Sequence, residues 1–501
     1  MLRLLPLLST CLAAFSVHAA EPLQASLSIG EPAGPRIEPA IYGQFVEHLG
    51  RGVYDGLWVG PESKIPNVRG WRKDAVQALK KIHVPVVRWP GGCFADDYDW
   101  RDGIGDPKKR PQRINKVWGN VLETNRVGTH EFMDLAEQIG AEAYIAGNMG
   151  SLPPRSMSQW LEYMTADKGS LAEERARNGH KQPWKVPYFG VGNESWGCGG
   201  TMRPEYTADL HRQYSTFLRG QTMKVASGDG EGRDEVTEGL MSRAAPQMDA
   251  LSLHYYTVPG PWDHKGAATG FTPLRWAETM QAAMRIEDRI TATESIMDRH
   301  DSKKRVALFV DEWGTWHDEE PGKQGALFQQ NTMRDALVAA LSFNAFHRHT
   351  ERVKMANIAQ VANVLQAMIL TRGPQLLLTP TYHVFDMYRP FQGATPLAVE
   401  LNTPQYREGA VTLPMVQVSA ARTAEGKLVL ALVNLDPVHE VSVQTGLNGT
   451  ASGQLLTALE MDAHNEFGAV PLVQPMPYEA YADSGVVLRL PAKSLVVVTL
   501  H

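Results

Sequence analysis

The 501-residue sequence predicts an α/β protein: a (β/α)8 TIM barrel with a C-terminal antiparallel β-sandwich domain. Three observations predict it. Between residues 41 and 389, short runs that are apolar on both faces alternate with helical stretches, as in a parallel sheet covered by helices. No Gly-rich phosphate turn follows an early strand, which argues against a doubly wound open sheet. After about Pro390 the helical periodicity stops, and alternating β-branched runs bounded by turns replace it.

The elements follow in order. Residues 1–20 carry Arg3, an apolar run interrupted by Pro6, and Ala19-Ala20. That is the pattern of a signal peptide, so a secreted or periplasmic location is expected. Residues 23–29 alternate cleanly, and 21–40 are expected to lend a strand to the β-sandwich. The barrel is expected over 41–389, with strands at 41–49, 84–89, 141–146, 186–192, 224–227, 250–256, 306–310 and 353–358. Helices are expected at 71–82, where Ala75, Leu79 and Ile82 share a face, and at 129–139, capped by Thr129. Others fall at 206–219, 332–346 and 380–388. The sandwich, 390–501, has strands at 411–418, 427–434, 442–445, 485–490 and 494–500.

Composition narrows the function. With 43% hydrophobic and 21% charged residues the chain is globular, not disordered. A formal net charge of -6 gives no electrostatic pull toward nucleic acid. Past residue 20 no run is long and apolar enough to insert in a membrane.

Two glutamates stand out. Glu194, in Gly192-Asn193-Glu194, and Glu312, in Asp311-Glu312-Trp313, each end a buried strand. Barrel enzymes keep their chemistry at that end of the strands. Two carboxyls from different strands suit glycoside hydrolysis, which needs one protonated and one ionised. Asn193 could hold a sugar hydroxyl beside the bond being cut. If residues 1–20 are removed, Cys11 goes with them. Cys93 and Cys198 then remain, both after expected strand ends, and are either bridged or two free thiols. Asp96, Asp97, Asp99 and Asp102 lack calcium-loop spacing and read as a solvated or ion-paired loop. His347 and His349 lack the spacing of a helical zinc pair and read as surface residues after a helix. Neither a metal nor an organic cofactor is expected.

The sequence resembles the α-L-arabinofuranosidases of glycoside hydrolase family 51. The resemblance rests on Tyr42-Gly43-Gln44-Phe45-Val46-Glu47-His48-Leu49-Gly50-Arg51, Arg88-Trp89-Pro90-Gly91-Gly92, Trp100-Arg101-Asp102-Gly103-Ile104-Gly105, and Glu123-Thr124-Asn125 with Glu131-Phe132. Gly192-Asn193-Glu194, Asp311-Glu312-Trp313 and Ala356-Asn357-Ile358-Ala359-Gln360 complete it. It implies Glu194 as acid/base and Glu312 as nucleophile. It also implies that Glu47, Asn193 and Gln360 bind the furanose, that His254 and Tyr256 flank the nucleophile, and that Trp118 and Trp316 lie near the leaving group. Cys93 stands where the family pattern has asparagine, so its sugar contact differs, and a bridge to Cys198 would make it shape the pocket instead. The implied activity is retaining, exo-acting release of α-L-arabinofuranosyl units from arabinan, arabinoxylan or derived oligosaccharides, by a homo-oligomer. Rival readings are an endo-β-1,4-glucanase or β-xylosidase on the same scaffold, or a non-catalytic carbohydrate-binding protein.

Overall fold

The structure is a computed structural model that describes residues 23–230, 232–320 and 326–501. The expected signal peptide lies outside the described residues. Eight parallel strands close into a barrel: Gly43–Phe45, Val86–Trp89, Glu142–Gly147, Tyr188–Val191, Met223–Asp229, Ala250–Thr257, Ala307–Thr315 and Val353–Ala359. The last pairs with the first, Asn357 opposite Gly43. Val86, Tyr144, Val225, Ala250, Phe309 and Met355 pack together inside the barrel, so it is a filled core with a mouth at one end.

Strand bounds differ from the sequence expectation where the site needs them to. The first strand, expected over 41–49, is extended only at Gly43–Phe45. Beyond it the chain hooks over the second strand's exit, with Val46 N–H donating to Arg88 O and His48 N–H to Pro90 O. The seventh, expected to stop at 310, runs on through Ala307–Thr315, and its register with both neighbours shifts around Asp311-Glu312, a bulge beside the mouth. Three long helices, Pro154–Thr165, Asp234–Ala244 and Pro273–His300, add to those expected. His347 corrects its reading as a surface residue. It is buried at the end of the helix Met333–Arg348, hydrogen-bonded to Tyr42 Oη at 2.7 Å and to Ser419 Oγ at 2.8 Å. Burial drives its pKa down to about 3, so it is neutral.

The C-terminal region is a nine-stranded sheet. Val487–Leu490, at one end, comes back against Leu428–Asn434 and Ser494–Leu500, so the sheet folds over itself. Leu23–Pro32 lies between Thr395–Asn402, antiparallel to it, and Val441–Gln444, parallel to it. The two regions share one continuous core. The helix Met333–Arg348 packs on Val416–Arg422 and Leu428–Asn434, and Trp276 donates its indole N–H to Leu435 O at 2.9 Å.

Candidate active site

The strands' C-terminal ends open into a pocket of about 740 Å³ lined by Glu47, Cys93, Trp118, Glu194, His254, Tyr256, Glu312, Trp316 and Gln360. Asn193 sits behind this wall, 2% exposed, its side-chain oxygen accepting from Arg88 at 2.7 Å.

Glu47 is held by four donors. Its Oε1 accepts the N–H groups of Gly92 and Phe94, both at 3.0 Å, and the Trp118 indole at 2.9 Å. Its Oε2 accepts from Gln360 Nε2 at 3.2 Å. The approach explains Gly91 and Gly92: a Cβ on Gly91 would lie 2.7 Å from Glu47 Cγ, and one on Gly92 2.6 Å from Glu312 Oε1. Burial, then the charge of Glu312, push the Glu47 carboxyl up to about 7 against those hydrogen bonds.

Glu312 is fixed on two sides. Arg88 Nη1 donates to its Oε1 at 2.7 Å, and Tyr256 Oη donates to its Oε2 at 2.9 Å. Arg88, 2% exposed on the second strand, also makes a 3.6 Å ion pair with Asp311. Tyr144 Oη donates to Asp311 Oδ2 at 2.7 Å.

Glu194 occupies a strained turn. Its φ of 37° lies in the left-handed region, unusual for a residue with a side chain. The turn is pinned from behind by Asp96, which accepts the N–H groups of Asn193 at 2.8 Å, Met149 at 2.7 Å and Gly150 at 2.9 Å. Strain held by its surroundings concentrates at functional positions, and here it aims Glu194 into the mouth. Burial raises its pKa, while the hydrogen bond and positive charge of His254 pull the other way. His254 Nδ1 lies 2.8 Å from Glu194 Oε1 and 3.6 Å from Glu312 Oε2, and its Nε2 lies 3.4 Å from Asp311 Oδ1. Burial alone would lower the imidazole pKa. The charge of Glu312 and the bonds to Asp311 and Glu194 outweigh that and lift it to about 10, so Nδ1–H donates to Glu194.

Cys93 and Cys198 are joined by a disulfide with Cα atoms 5.5 Å apart. Their sulfurs lie 3.9 and 3.6 Å from Glu194 Oε2. A disulfide sulfur carries no proton, so these are packing contacts that put a non-polar wall beside the carboxyl. The four aspartates singled out in the sequence are spoken for by protein groups in part: Asp96 as above, Asp99 by the N–H of Arg101, and Asp102 by Arg113.

Sequence reasoning gave no role to Arg88, Asp311, Tyr144 or Asp96. Arg88 had a signal, an arginine inside an otherwise apolar four-residue strand. Asp96, expected in a solvated or ion-paired loop, is instead buried and acts on backbone N–H groups far away in the chain, which no local pattern signals.

The chain is similar to known proteins along most of its length. Residues 78–267 match the model of the α-L-arabinofuranosidase 1 domain, and residues 311–494 that of the α-L-arabinofuranosidase C-terminal domain. An intracellular exo-α-L-arabinofuranosidase of Bacteroides ovatus is 46% identical over 510 residues, covering 99% of each chain. Among solved structures, the GH51 arabinofuranosidase from Xanthomonas axonopodis pv. citri is 48% identical with a TM-score of 0.93, over 96% of this chain and 100% of that one. The α-L-arabinofuranosidase from Thermotoga maritima, solved with arabinose, is 27% identical with a TM-score of 0.85, over 95% and 100%. The fold and the likenesses define a glycoside hydrolase built on a parallel barrel. The chain belongs to glycoside hydrolase family 51, the α-L-arabinofuranosidases. The secreted or periplasmic location expected from residues 1–20 is corrected by the Bacteroides relative, which carries the description intracellular along its full length. No described helix is long and apolar enough to cross a membrane.

Proposed function

We propose that the enzyme removes terminal α-L-arabinofuranosyl units by a retaining double displacement, with Glu194 as acid/base and Glu312 as nucleophile. One observation carries the reading. Single oxygen atoms of Glu194 and Glu312 and a ring nitrogen of His254 lie within 4.8 Å of one another. Retaining glycosidases hold their carboxyls at about 5–5.5 Å, and inverting ones leave about 6.5–9.5 Å for a water.

In the first step Glu312 Oε attacks the anomeric carbon as the glycosidic bond breaks, and the departing oxygen takes the proton of Glu194. An arabinosyl ester of Glu312 results. Glu194, now ionised, takes a proton from water, whose oxygen attacks the same carbon from the side the leaving group left. The ester bond breaks, Glu312 regains its carboxylate, and arabinose leaves with its configuration kept. Arg88 and Tyr256 hold both oxygens of Glu312 and keep it aimed. Burial shifts Glu194 toward its protonated form, as an acid requires.

Glu47 and Gln360, locked to each other, are suited to bind furanose hydroxyls, with Asn193 reaching them through its amide nitrogen. Exo action on arabinan, arabinoxylan or their oligomers is supported by the likeness to the exo-α-L-arabinofuranosidase of Bacteroides ovatus. The test is hydrolysis of 4-nitrophenyl α-L-arabinofuranoside with the first-formed anomer read by NMR. The α anomer is expected, and initial β anomer would overturn the mechanism.

A further inference from the structure

Outside the ring of charged groups the pocket reaches one more aromatic side chain. Trp262 stands on a turn after the sixth barrel strand and lines the same pocket. It is 55% exposed and is the only tryptophan of the exposed class among the described residues. Exposed as it is, it is braced. Its ring centroid lies 5.0 Å from that of Trp316, with the planes at 63°. Lys265 Nζ sits 4.6 Å from the Trp262 centroid and 5.6 Å from that of Trp316, a cation against both rings.

The segment that carries Trp262 and Lys265 is tied to the loop that follows the seventh strand. The Asp318 carboxylate accepts the N–H of Lys265 at 3.0 Å and of Gly266 at 2.9 Å, and Asp318 N–H donates to Gly266 O at 2.9 Å. Buried Arg334 donates to Ala267 O at 3.1 Å and Ala268 O at 3.2 Å. The path inward is continuous: Trp262 meets Trp316, Trp316 meets Tyr256 at 4.9 Å, and Tyr256 bonds Glu312. A fixed aromatic surface left in water at the mouth of a sugar pocket is a preorganised surface whose free area has no partner among the described residues. A sugar ring has an apolar C–H face that fits it and hydroxyls that an ammonium can reach.

We infer that Trp262, braced by Lys265 and Trp316, is the platform for a second sugar of the leaving-group chain, a distal subsite that favours oligosaccharide and polymer over single-ring leaving groups. The inference rests on the catalytic reading of the pocket. Its measure is a ratio: kcat/KM on an α-1,5-linked arabinotriose divided by kcat/KM on 4-nitrophenyl α-L-arabinofuranoside. The ratio is independent of the fraction of enzyme that is folded. In W262A it should fall about tenfold, the scale of one aromatic contact, and in W262F by about twofold, because a ring remains. A W262A ratio equal to the wild-type value would overturn the subsite while leaving the catalytic reading intact. Wild-type enzyme inert on both substrates would overturn the two together.

Discussion

Two buried clusters of charge lie within one barrel, and they are built on opposite rules. At the mouth Glu194, Asp311 and Glu312 crowd around Arg88 and His254, with Glu47 beside Glu312. There Glu47 is pushed up to about 7 and Glu194 is raised too. At the start of the helix Met333–Arg348, Asp335 is alone among its partners. It accepts from Thr315 Oγ1 at 2.6 Å, Thr332 N at 2.7 Å and Thr332 Oγ1 at 3.1 Å, with His317 Nε2 at 3.0 Å. Burial raises it, but the contact with His317, the charges of His317 and Arg334 and the Thr315 hydroxyl hold it well below the usual carboxylate range. The difference teaches how to read buried acids. A carboxylate set among donors with no second acid beside it is structural, and acids that crowd one another are driven apart in titration, as Glu194 rises while Asp311 falls.

The comparison breaks first on a pair of substitutions. Glu312→Ala should cut kcat about 10⁴-fold, as loss of a covalent nucleophile does, while the unfolding midpoint stays or rises because a crowded charge has gone. Asp335→Ala should do the reverse. It strands Arg334 and the helix start, so stability should fall by about 3–5 kcal/mol in a urea titration, with kcat per folded molecule within several-fold of wild type. The rule fails if Glu312→Ala unfolds the enzyme or if Asp335→Ala leaves its stability untouched.

The same contrast explains what could be read in the sequence. The barrel was legible because buried parallel strands are apolar on both faces, and Glu194 and Glu312 were legible because each ends such a run. The helix Pro273–His300 was readable in principle: Thr272 caps it, Pro273 starts it, and Trp276, Met280, Ala283, Ile290 and Met297 mark its buried face. Its many charged residues hid that stripe. Asp335 was hidden for another reason. Its partners at 315, 317 and 334 belong to two elements that meet only in the folded barrel.

A cross-link sharpens the comparison at the next level of effect. The disulfide ties the loop after the second strand to the turn after the fourth, on either side of Glu194. If the mouth's charges do not hold it together, this bond is what does. Reduction by a dithiol should cost about 2–4 kcal/mol of stability. Amide hydrogen exchange should then quicken at residues 92–97 and 194–200 before it does at 315–335. Equal quickening in both regions would count against the contrast.

The smallest effect isolates the shared cation. His254 donates to Glu194 and, charged, favours the ionised form of that carboxyl. Burial works the other way, and the balance sets where Glu194 loses its proton. His254→Asn removes the positive charge and leaves burial, so the pKa of Glu194 climbs. Glu194 must be protonated to act as the acid, so activity survives to higher pH when its pKa is higher. The alkaline limb of kcat/KM should therefore move to higher pH, even as the rate at the optimum drops. Asp335, with donors of its own, offers no such lever. A limb that moves down in His254→Asn would mean that a neutral imidazole accepts the Glu194 proton and favours its protonated form, and the shared cation would be no cation at all.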